Sequence, residues 1–182
     1  MRELECVKFR ATPAVVMAIF SGRLGCRGLT IVHFKEAAEM ESLEDGSSNV
    51  NFSSDFIATA GLPVAKILCA SYDDILDAVH GLSSLGHKVW YDHMRKITAR
   101  LRAFLAKNKS ADLVNNPARV RLTLLYTNEF LGTALAFMQS EWWSGYCESL
   151  RGVEYQAPSW TMALLINAKV VVGQPFQIGS DS

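Results

Sequence analysis

Residues 87–107 read HKVWYDHMRKITARLRAFLAK, and within them Trp90, Met94, Ile97, Leu101 and Phe104 recur at steps of 4, 3, 4 and 3. Steps of that size place apolar side chains on one narrow stripe of a helix, of the kind that packs against another helix. The spacing predicts a long helix over 87–107, closed by Asn108-Lys109-Ser110.

Downstream, Asn116-Pro117 has the form of a helix start, with Asn as cap and Pro in the first turn, where its missing N–H is not needed. A second long helix is predicted over 117–139. It is apolar on most of its circumference, from Val120 to Met138, which marks it as central. Upstream, Ser71 followed by Asp73 and Asp74 caps a helix expected to stop near Leu85, before Gly86. A shorter helix is expected over 141–150, ended by Gly152.

The flanks read differently. Alternation predicts strands at 4–10, Leu29–Phe34 and Val50–Ala58, with short helices at 14–23 and 36–48 and a buried run at 64–70. Thr161–Ile166 and Val170–Val172 also have strand chemistry, as a hairpin. The expectation is therefore a single α+β domain over 1–182, strand-rich in 1–70, helical in 71–151 and strand-rich again in the 152–182 tail. Two long helices, 87–107 and 117–139, would pack on a small, mostly antiparallel sheet.

Composition narrows the function classes. With 182 residues, 49% hydrophobic and 20% charged, the chain fills one core without staples. Cys6, Cys26, Cys69 and Cys147 form no CxxC pair, so they read as reduced thiols. No apolar run reaches the ~18 residues of a membrane span, and no export signal is evident. A cytoplasmic protein with no membrane partner is the expectation.

Catalytic signatures are missing. HExxH, GxSxG, GxxxxGK[ST] and GxGxxG do not occur. His87 and His93 would lie about 120° apart on a helix. Asp73 and Asp77 share a helix face, but an acidic first turn usually complements the helix dipole. Arg23 and Arg27 among Gly22, Gly25 and Gly28 read as a tight connection. No metal, cofactor or catalytic residue is assigned.

Ile67-Leu68-Cys69-Ala70-Ser71, then Gly86-His87-Lys88-Val89-Trp90-Tyr91-Asp92, then Ser140-Glu141-Trp142-Trp143 is loosely similar to the spaced motifs of Toll/interleukin-receptor (TIR) domains. The resemblance covers about 80 residues. It implies signalling partners, and for some members cleavage of NAD by a glutamate, here Glu141 or Glu148. It also requires a strand at 87–92, where the apolar stripe asks for helix. A small TIR-like NAD-consuming hydrolase is thus the alternative function.

Charge supports the main one. Residues 87–121 hold nine basic side chains against Asp92 and Asp112, a net of +7; residues 36–77 hold nine acids against Lys66, a net of −8. Three explanations compete. The basic stretch can meet RNA phosphates, with Arg95, Arg100, Arg102, Arg119 and Arg121 as contacts. Opposite patches on neighbouring copies can dock head to tail. Or the charges simply solvate helix faces and pair within one molecule.

Trp142, Trp143 and Tyr146 bear on the same choice. Adjacent tryptophans point about 100° apart on a helix, so either one ring is an exposed interface anchor or both lie under the terminal strands. The expected function is a non-enzymatic structural or interaction protein, a subunit of a larger assembly. Its partners would be itself or other subunits, and in the most specific form it is a self-assembling coat or nucleoprotein-like subunit on single-stranded RNA.

Overall fold

The computed structural model describes residues 29–35, 69–89 and 91–172. The expected elements at 4–10, 14–23, 36–48 and 50–58, and most of 64–70, lie outside them. A 3-10 turn at Ile31–Phe34 precedes five α-helices: α1 Tyr72–Val89, α2 Tyr91–Ala111, α3 Pro117–Gln139, α4 Trp143–Gly152 and α5 Pro158–Val172.

Among the described residues there is no strand and no sheet, which overturns the α+β expectation. Two segments with strand chemistry account for it. Leu29–Phe34 has β-branched residues, but the Ile31 N–H donates to Asn128 Oδ1 at 2.7 Å on α3 rather than to a neighbouring strand. The Thr30 N–H closes onto His33 Nδ1 at 3.0 Å, which tightens the segment into a 3-10 turn. In the tail, Thr161–Ile166 and Val170–Val172 belong to one helix, α5, opened by Pro158 at its first position. β-branched residues fit strands well, but packing on neighbours decides the outcome.

Helix α1 starts where its cap predicts. The Asp74 N–H donates to Ser71 Oγ at 3.2 Å, and Asp74 Oδ2 accepts from the Ser71 and Ala70 N–H groups at 3.0 Å each. It does not end at Gly86. A Cβ there would lie 2.1 Å from Met94 Cγ, so the glycine serves the close approach of α2 and the helix continues to Val89. Helix α2 is described from Tyr91, four residues later than the start its stripe predicts.

α1 and α2 form an antiparallel hairpin, because early α1 meets late α2. The Tyr72 hydroxyl bonds Asp112, Lys109 Nζ meets Asp73 at 2.5 Å, and Arg102 donates to Ser83 Oγ at 2.6 Å. Tyr72, Ile75, Val79 and Leu82 face Met94, Ile97, Leu101 and Leu105 in the core.

α3 has the predicted bounds, with Asn116 Oδ1 accepting from the Ala118 and Arg119 N–H groups at 3.0 and 3.3 Å. It is the hub, packing against α2, α4, α5 and the 31–34 turn. At its centre Phe104, Tyr126 and Trp160 bring α2, α3 and α5 together with ring centroids 5.0 to 5.7 Å apart. Trp160 is fully buried. A buried tryptophan of this kind is worth about 3–5 kcal/mol against alanine. The Tyr126 hydroxyl donates to the Gly152 carbonyl at 2.7 Å and bonds Ser159 Oγ, pinning the α4–α5 connection.

Candidate interaction surface

The α3–α4 corner is built around a residue in left-handed conformation. Glu141 has φ of 56°, a position glycine usually fills at a helix end. The Trp142 N–H reaches back to the Phe137 carbonyl at 2.9 Å and the Glu141 N–H to Met138 at 3.2 Å, so the end of α3 is closed. Trp142 and Trp143 follow at once, as the N-cap and the first residue of α4.

Each ring is held on one side. Trp142 stands edge-on to Phe137 at 4.8 Å, and Gly145 lies beneath it, where a Cβ would come within 2.9 Å of the indole. Trp143 stacks on His93 of α2 at 4.6 Å. The other sides are open, Trp142 being 56% and Trp143 45% exposed.

Tyr146, the third residue of the expected interface, is buried instead. Its hydroxyl donates to the His93 carbonyl at 2.8 Å, and burial pushes the phenol up to about 12. It supports the corner from inside. Glu141, next to Trp142 in the chain, and Glu148 on α4 are exposed.

The five arginines expected on phosphates point several ways. Arg102 faces α1, as does Lys109, seven residues on. Arg100 faces the opposite rim, meeting Glu154 at 2.5 Å. Arg95 lies 3.7 Å from Asp92. Arg119 is half-buried on α3, with Nη2 3.4 Å from the Tyr155 hydroxyl and a buried Nε that has no hydrogen-bond partner. Arg121 is exposed. They form no single cluster, but α2 carries Arg95, Lys96, Arg100, Arg102, Lys107 and Lys109, all exposed, against Asp92 alone.

The charge separation is incomplete where it is described. Asp73 meets Lys109 of the basic stretch, and Asp74 meets Lys35. The Lys35 ammonium, with the Ser71 and Ala70 donors, holds the Asp74 carboxyl down at about 2. The acids at 36–55 lie outside the described residues.

No group of three His, Cys, Asp or Glu side chains able to hold a metal occurs among the described residues. A cleft of about 200 Å³ between α3, α4 and α5 is lined by Tyr126, Glu129, Thr133, Ser149 and Ser159. That is below the usual range of ligand pockets, and it offers one carboxylate with no second acid or histidine. Glu141 and Glu148, the carboxylates of the TIR-like alternative, are exposed and do not line that cleft. The strand that alternative needs at 87–92 is helical on both sides of residue 90.

One feature escaped the sequence reading. Leu113 and Val114, in the turn between α2 and α3, are 84% and 85% exposed. The turn is anchored by Asp112, which accepts from the Tyr72 hydroxyl and the Asn116 N–H at 3.0 and 2.9 Å. Asn115, with φ of 52°, accepts from the Tyr72 N–H at 3.3 Å. An apolar pair inside a polar Asp-Leu-Val-Asn-Asn-Pro turn was the available signal.

The chain matches no protein-family model, no curated protein and no solved structure at a significant level. No helix among the described residues is long and apolar enough to cross a membrane.

Proposed function

We propose that the chain is a non-enzymatic assembly subunit that packs head to tail on copies of itself, the Trp142–Trp143 corner of one against the outer face of α2 of the next. The observation that carries this reading is the corner itself, where two tryptophans are clamped by Phe137 and His93 yet stay about half open. Rings already held in place lose little entropy on binding, and large aromatic anchors of this kind dominate interface energies.

Charge favours a neighbouring copy as the partner. Glu141 immediately precedes Trp142 in the chain and is exposed, and the exposed side chains of α2 are mainly cationic, so opposite signs meet. Lysine and arginine also bind indole faces. Two different patches joined in this way build rings or filaments rather than closed two-fold dimers. A cytoplasm-like compartment belongs to the same proposal, supported by free thiols at Cys69 and Cys147.

Complementation tests it. Trp142→Ala/Trp143→Ala removes one patch and Lys96→Glu/Lys107→Glu the other. Each variant alone is expected to be monomeric, and an equimolar mixture to stop at a dimer, since one intact patch of each kind remains. Self-association of either variant at the wild-type level overturns the reading.

A second reading, contact with single-stranded RNA, rests on Lys96, Lys107 and Arg121, which are exposed and make no ion pair with a described residue. Anisotropy of a labelled oligonucleotide is expected to rise with protein and to fall steeply with salt. Binding unchanged by Lys96→Glu/Lys107→Glu removes it.

A further inference from the structure

We infer that the turn between α2 and α3 is a membrane-surface probe, with Leu113 and Val114 entering the headgroup region of an anionic bilayer. The two side chains are the most exposed large apolar groups among the described residues, at 84% and 85%.

The turn is fixed from below by the nearly buried Asp112. Its carboxylate takes the Tyr72 hydroxyl and the Asn116 N–H, and Asn115 takes the Tyr72 N–H. The Asp112 and Asn115 N–H groups add bonds to Lys109 and Asp112 carbonyls at 3.2 and 3.3 Å. Three anchored residues thus hold up two unanchored ones.

The charges behind the tip select the occupant. Lys107 and Lys109 on the last turns of α2, with Arg119 and Arg121 on the first turns of α3, all lie within about 10 Å of the tip along the helix axes. Lys107 and Arg121 make no ion pair with a described residue; Lys109 meets Asp73, the exposed acid at this end, and Arg119 leans on Tyr155. Apolar groups that sink about 5–10 Å into the interface, with Lys and Arg roughly 6–10 Å behind along the helix axes, match the layering of an anionic membrane surface.

A protein partner is the poorer fit. Two side chains on a convex tip offer far less than the roughly 800 Å² per partner of a stable protein interface. The expectation of no membrane partner came from the missing span, and an interfacial contact needs none.

Co-sedimentation of the full chain with phosphatidylserine/phosphatidylcholine vesicles tests the inference. Binding is expected with the mixed vesicles at low salt, and to fall with added salt and with phosphatidylcholine alone. Leu113→Ser/Val114→Ser, at positions that touch no core, should weaken it at least about tenfold, with unchanged circular dichroism. Lys107→Gln and Arg121→Gln should each weaken it about fivefold. Absence of sedimentation with the anionic vesicles overturns the inference in favour of a protein-docking knob, and binding insensitive to Leu113→Ser/Val114→Ser overturns it as well.

Discussion

The Tyr72 hydroxyl donates to the Asp112 carboxylate at 3.0 Å, linking the first residue of α1 to the turn that leaves α2. Both residues are buried, so the bond fixes the far end of the α1–α2 hairpin where water cannot replace it. Tyr72→Phe leaves the carboxylate with the Asn116 N–H and no phenol. Urea unfolding is expected to show a loss of about 1.5–3 kcal/mol, the usual range for a hydrogen bond to a charged group. A loss below about 0.5 kcal/mol would show that the hairpin does not depend on this link.

The same phenol predicts a limit at high pH. Burial first, and then the bond to Asp112, pushes Tyr72 up to about 12; burial does the same to Tyr146. An unfolded tyrosine ionises near 10. The folded state therefore holds these two protons more tightly, and the resulting stability is complete below pH 10 and lost as pH rises from 10 to 12. Thermal midpoints measured across that window should fall, and less steeply in Tyr72→Phe. A flat profile would contradict the burial of both rings.

At Gly86 the Met94 side chain of α2 comes close against the backbone of α1. Gly86→Ala would raise helix propensity by about 1 kcal/mol, but its Cβ meets the Met94 side chain at 2.1 Å. Overpacking costs about 1–3 kcal/mol, so the net expectation is a loss of up to about 2 kcal/mol. Gly86→Ala/Met94→Ala should not recover full stability, because it empties a buried site. Stabilisation by Gly86→Ala alone would show that the helices are farther apart than described.

Asn128 holds the 31–34 turn onto α3 through the Ile31 N–H at 2.7 Å. Asn128→Ala leaves that N–H without its acceptor and should cost about 1–3 kcal/mol. Amide exchange at Ile31 is the direct readout: faster exchange is expected in the variant, with the α1–α2 hairpin protected as before. Unaltered exchange at Ile31 would remove the tether.

The central helices were legible because three independent local signals agreed. The stripe from Met94 to Phe104, the Ser71–Asp74 cap and the Asn116-Pro117 start each name a helix without help from tertiary structure. The ends and flanks were not. Gly86 reads as a stop in isolation, and only the approach of Met94 shows why it is interior. Leu29–Phe34 and Thr161–Ile166 carry residues that favour strands, yet no strand among the described residues offers a partner, and Asn128 and the Phe104–Tyr126–Trp160 contacts take their place. For the surface, the count of exposed rings at Trp142–Trp143 depended on Glu141 adopting a left-handed turn, which composition does not reveal. The arginines were visible as a charge run, whereas the turning of Arg102 toward Ser83 on α1 and of Arg100 toward Glu154, after α4, follows only from tertiary packing.

Light scattering of the wild-type chain over a range of concentrations, at low and at high salt, bears most directly on the head-to-tail proposal. The account predicts a mass that grows with concentration at low salt, shrinks as salt is added, and stays at that of one chain for Trp142→Ala/Trp143→Ala. A wild-type chain that scatters as a single copy at every concentration and every salt would contradict it.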